Sequence, residues 1–225
     1  MDQALTELIA ANVTFVGLHF AMSHPLRGPM VGALGDKIFA AVYSLVSLVS
    51  FAWVVIAFRA APAGDLGGAG DAGWIVATVL MVPALVLFSG SFTRNPAMPR
   101  PDAAEHAKAE PHGVFLVTRH PMMWGFALWA LAHIILYWSM RTVITAGAVG
   151  FLALVGAHMQ DRKKQVLMGD AWAVWEARTS YWPRFGNLFA VGWKLWVIAI
   201  MLWIALSWLH LPIGGIDAGV LRWIG

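Results

Sequence analysis

The sequence predicts an all-α, polytopic membrane helix bundle of about six membrane-spanning helices, with an amphipathic helix lying on its basic, cytoplasmic face. Three observations carry this. Of the 225 residues, 60% are hydrophobic and only 12% charged, where a soluble domain holds roughly 45–50% and about 25%. The apolar residues fall in blocks near the ~20 residues that cross a hydrocarbon core as a helix. The basic residues gather in alternate connections. A single bundle uses the whole length, so residues 1–225 are read as one membrane domain.

Leu8–Ser23, with Asn12 and His19 inside it, is the first and shortest span. Asp2 and Glu7 stand where a cleavable signal would be basic, so this block is expected to be retained. Ile38–Phe58, Gly73–Phe92, Met122–Met140 and Thr142–Gln160 follow without a formal charge, and Leu195–Leu211 closes the set. The fourth and fifth spans form a tight hairpin around Arg141. Ala61–Asp71, rich in Gly and Asp, reads as a flexible outer turn, and Arg94–His112 as a polar loop. Asp161–Trp182 intersperses Val166, Leu167, Trp172, Val174 and Trp175 among charges, which predicts the amphipathic helix on the inner face. Twelve of the fifteen Lys and Arg residues lie in connections one, three and five. The positive-inside rule then places these in the cytoplasm and both termini outside, periplasmic for a bacterial inner membrane.

With no cysteine, disulfides, thiol catalysis and thiolate metal sites are excluded. Ionisable groups within a span are costly and mark functional candidates. His19, His133 and His158 qualify. Each can be an interhelical hydrogen-bonding group; together they offer neutral imidazoles, common axial ligands of haem iron. A zinc site is disfavoured, since no span supplies a carboxylate or thiolate as a third ligand. Three polar turns form a second pattern: Ser23-His24-Pro25-Leu26-Arg27, Thr93-Arg94-Asn95-Pro96 and Thr118-Arg119-His120-Pro121. Pro121 suits the first position of a helix. Arg27, Arg94 and Arg119 at one depth would form an anion site for phosphate, carboxylate or haem propionates, or else anchor to lipid headgroups. The tail Asp161-Arg162-Lys163-Lys164, Gly169-Asp170, Trp175-Glu176, Arg178-Thr179-Ser180 and Pro183-Arg184 orders Gly, Trp, Thr-Ser and Pro in a way that solvation does not explain.

From about Phe15 to Pro183 the chain resembles the NnrU family, which includes the zeta-carotene isomerases. The resemblance rests on Phe15-Val16-Gly17-Leu18-His19, Leu26-Arg27, Leu34-Gly35, Tyr43-Ser44-Leu45 and Arg94-Asn95-Pro96. It continues through Val117-Thr118-Arg119-His120-Pro121, Gly125, Trp129-Ala130-Leu131-Ala132-His133, Asp161-Arg162, Gly169 and Arg178-Thr179-Ser180. It implies a b-type haem with His19 and His133 as ligands, and the reaction class of redox-dependent cis–trans isomerisation of a lipophilic polyene. Ala130 stands where the plant pattern has a cysteine. The two histidines differ in depth by roughly 8 Å when each span is drawn straight. Bacterial members are linked to denitrification and nitric oxide metabolism, which implies a respiratory or denitrification protein partner.

Arg-His-Pro with Gly125 and a basic tail is also similar to the isoprenylcysteine methyltransferases. That resemblance implies S-adenosylmethionine held by Arg119, His120, Glu176 and Arg178, although Met123 replaces the usual aromatic. The expected partners are membrane lipid and a small lipophilic molecule, with no nucleic acid. The alternatives to the haem protein are the methyltransferase and a non-catalytic accessory protein of a respiratory complex.

Overall fold

The computed structural model describes residues 2–63 and 68–224, and among them it is helical apart from one lone β-bridge, Gly68 to Tyr137. The helices are α1 (Gln3–Ser23), α2 (Arg27–Ala60), α3 (Gly70–Gly90), α4 (Ala103–Lys108), α5 (Pro121–Leu136), α6 (Met140–Met168), α7 (Asp170–Arg178), α8 (Trp193–Gly214) and α9 (Leu221–Ile224). α1, α2, α3, α6 and α8 are long and apolar enough to cross a membrane. α5 is the sixth apolar helix, and its 16 residues reach only ~24 Å. The bundle is polytopic and all-α as expected. Its packing order across the membrane plane is α2, α1, α6, α5, α3, α8, so α6 separates the N-terminal pair from the rest.

Several boundaries differ from the apolar blocks, each for a local reason. α1 begins at Gln3 because the Asp2 carboxylate accepts from Ala4 N at 3.0 Å and caps the first turn. α2 begins at Arg27, with a break at Gly35, whose φ of 76° only glycine adopts without strain. α5 ends at Leu136, not Met140: Tyr137 is extended, and Ser139 caps α6 by accepting from Thr142 N at 3.2 Å. Of the Ala61–Asp71 turn, residues 64–67 lie outside the described residues.

The amphipathic stretch divides in two. α6 runs past its apolar section to Met168 and carries Asp161, Arg162, Lys163 and Lys164 beyond it. The chain then turns at Gly169, φ 51°, into α7. The tryptophan face of α7 meets protein rather than lipid. Trp172 and Trp175 are fully buried, with the Phe115 ring edge-on to Trp175 at 5.3 Å. Burying an indole removes ~150–250 Å² of surface, about 4–6 kcal/mol at ~25 cal/mol per Å². Both indole N–H groups lack a partner among the described residues, which costs about 1–3 kcal/mol each, so burial wins. α4, α7 and the turns at Gly113–Leu116 and Phe185–Ala190 thus cap the basic end of the bundle with a packed layer. At the opposite end Arg141 sits 4.9 Å over Phe58, and Arg222 pairs with Asp71 at 3.0 Å.

α3 and α5 approach closely at Gly125. A Cβ there would lie 2.9 Å from the backbone oxygen of Ala84, which cannot swing aside. Gly147 on α6 faces open space. Gly125→Ala is therefore expected to cost about 1–3 kcal/mol in unfolding from mild detergent, while Gly147→Ala leaves stability unchanged or slightly raised. Equal effects would contradict the α3–α5 contact.

Candidate functional site

His19 on α1 and His133 on α5 share one local arrangement. The Nδ1 of His19 lies 2.8 Å from the Phe15 carbonyl, and the Nδ1 of His133 lies 2.8 Å from the Trp129 carbonyl. Each ring donates to the oxygen one turn back, which fixes the tautomer and leaves the Nε2 lone pair available. A hydrogen bond of this kind at one ring nitrogen holds an imidazole in the orientation in which the other can bind a metal. Phe15 and Tyr43 flank the His19 ring at 4.4 and 5.6 Å; Trp129 lies against His133 at 4.3 Å.

α6 packs against both helices and acts as a ruler between them. Asn12 of α1 reaches Thr145 at 3.4 Å and Phe20 meets Phe151 at 6.0 Å, so His19 lies level with about residues 150–152 of α6. On α5, Ala130 is level with Gly150, which puts His133 near residue 147. The histidines are offset by about four residues, roughly 6 Å.

The second cluster sits at the basic end. Asp161 accepts both Nε and Nη2 of Arg119, the shortest contact being 2.7 Å, and also pairs with His120 Nε2 at 2.7 Å. Glu176 lies 3.6 Å from the same guanidinium. Arg119 stacks over Tyr181 at 5.4 Å, and the backbone tightens the cluster: Arg119 N donates to Ser180 O, Thr118 Oγ1 and Trp124 Nε1 to Tyr181 O, and Arg184 N to Val117 O. Burial and the Asp161 carboxylate push the Tyr181 phenol up, which keeps it a donor to Leu154 O at 3.0 Å. His120 has a fully buried side chain, and its Nδ1 lacks a partner among the described residues.

Beside this knot a cleft of about 730 Å³ opens against α6, with Leu154, Val155 and Trp182 on its apolar side and His158, Arg162 and Glu176 on its polar side. The three arginines of the expected anion site are not in contact. Arg27 pairs with Asp36 at 3.6 Å, Arg94 is exposed with φ 50°, and Arg119 is bound to Asp161. Arg178 is drawn away to Lys108 O and Glu110. His24 Nδ1 lies 3.0 Å from Ser23 Oγ. No group of three or more His, Cys, Asp or Glu among the described residues can hold a metal ion.

The NnrU protein family profile matches residues 7–218. This chain belongs to the NnrU family. Two curated relatives align with part of this NnrU chain. The protein named 15-cis-zeta-carotene isomerase, chloroplastic, of Zea mays is 38% identical over 73 residues, 32% of this chain and 19% of the relative. Its namesake in Arabidopsis thaliana is 36% identical over 79 residues, 34% of this chain and 21% of the relative. The chain thus spans about a fifth of the length of these curated relatives. No solved structure matches it significantly.

Asp161 is the residue whose role in this NnrU chain sequence reasoning missed. An acid in the first turn beyond an apolar span, among three cations, was the available signal. Asp161→Ala leaves the Arg119 guanidinium without its counter-charge and the buried His120 Nε2 without its acceptor, and is expected to cost about 3–5 kcal/mol. Glu110→Ala removes an exposed partner of Arg178 and should cost under about 1 kcal/mol. Unfolding in detergent measures both; similar losses would show that the knot is not structural.

Proposed function

We propose that this NnrU chain is a membrane-embedded haem b protein that isomerises a double bond of a lipophilic polyene, with His19 and His133 as the residues that would hold the haem. The observation that carries the reading is the matched pair of imidazoles. Both are tied through Nδ1 to their own helix, both leave Nε2 free, and both stand on helices flanking α6. This donor set fits a bis-histidine haem; the remaining misfit is the offset of about one helical turn. The isomerase relatives support the reaction class. When bound, haem iron supplies an electron or a Lewis-acid contact that lowers the order of one double bond.

The chain's own residues do the rest. Phe15, Phe20, Tyr43 and Phe151 surround the His19 side of α6 with aromatic surface, which suits a polyene and excludes water. The cleft beside Leu154 and Trp182 offers an apolar molecule a surface against α6 at the basic end. Arg27, half-buried and over Phe39, is the cation this reading assigns to a propionate; Arg119 is bound to Asp161 instead. The basic end faces the cytoplasm in this reading, following the positive-inside rule.

The test is isomerisation of a cis-polyene in proteoliposomes, followed by chromatography of the isomers. The intact protein is expected to convert it under reducing conditions. His19→Ala and His133→Ala are each expected to fall to the rate of protein-free vesicles. Full activity in either variant would overturn the assignment.

A further inference from the structure

A third histidine carries the same arrangement as His19 and His133. His210, in the last part of α8, has Nδ1 2.7 Å from the Leu206 carbonyl, so its Nε2 is also left available. α3 packs against both α5 and α8 and sets the levels of their histidines. A Cβ on Gly73 would lie 3.7 Å from Ile135 O and Leu136 Cα, so His133 is level with about residues 75–76 of α3. At the other end, a Cβ on Gly90 would lie 3.2 Å from Leu195 Cδ1. Counting back along α3 and forward along antiparallel α8 places His210 level with about residue 75. At this level α3 leaves Ile75, Val76 and Val79 uncovered.

We propose that His210 is an alternative second imidazole for His133, one that would hold haem with it from the α3 side of α5 in place of His19. This rests on the haem reading above. It follows from register: His133 and His210 differ by about one residue in depth, whereas His133 and His19 differ by about four, or roughly 6 Å. A bis-histidine site needs two imidazoles at one depth with both Nε2 atoms free, and the α5–α8 pair meets the depth condition better.

Two measurements on the full chain in mild detergent test it. The first needs no haem. The chain has no cysteine, so the double variant His133→Cys/His210→Cys holds the only thiols. A short bifunctional thiol reagent should join them and shift the band on a gel, more completely than in His19→Cys/His133→Cys. Failure to cross-link would overturn the proposal by removing its geometry. The second is the absorption spectrum. His19→Ala is expected to keep the sharp bands of six-coordinate low-spin haem, and His19→Ala/His210→Ala to become five-coordinate and high-spin. A high-spin His19→Ala, or identical spectra for the two variants, would overturn it. Wild-type protein without haem, but with the cross-link formed, would overturn the haem reading and the ligand role of His210 while leaving the register intact.

Discussion

Asp161 accepts the Arg119 fork and His120 Nε2 together, at contacts as short as 2.7 Å, in a nearly water-free position. Charge-assisted bonds of this kind are strong because both partners have left water, and losing one strands the other. The residues come from the entry of α5 and the exit of α6, and Ser180, Tyr181 and Arg184 bind to the same entry segment. Three segments far apart in sequence are thereby locked at one height. Everything deeper in the membrane inherits that register.

The inheritance is mechanical. Once the start of α5 is pinned to the end of α6, the antiparallel pair has one alignment, and Ala130 must meet Gly150. α1 docks on the other side of α6 through Asn12 and Phe20. The heights of His19 and His133 are therefore consequences of a polar knot at the basic end. α3 transmits the same alignment to α8, with Gly125 allowing it to lie against the α5 backbone.

The architecture was legible because lipid imposes a coarse and strong rule: long apolar blocks, with charges at the ends. The existence of six apolar helices followed from that rule. Their boundaries did not, because Tyr137 and Trp138 are as apolar as a helix interior, and only the Ser139 cap marks where α6 begins. The charged tail looked like a surface helix because its tryptophans alternate with charges; that they turn into protein depends on α4 and Phe115, which are distant in sequence. His19 and His133 were visible as costly groups in apolar runs. His210 was not, since it falls at the edge of its span and gains meaning only when α3 sets its height. Asp161 was hidden for a related reason: its partners lie 41 and 42 positions away.

A polar knot sets the register, the register sets the imidazole heights, and each imidazole is tied through Nδ1 to its own helix with Nε2 left free. We propose that these atoms bind haem iron. The direct measurement is the absorption spectrum of the protein purified in mild detergent, oxidised and then reduced with dithionite. A Soret band with sharp α and β bands is expected after reduction, the signature of six-coordinate b-type haem. Protein that stays colourless when produced with added haem precursor would contradict it.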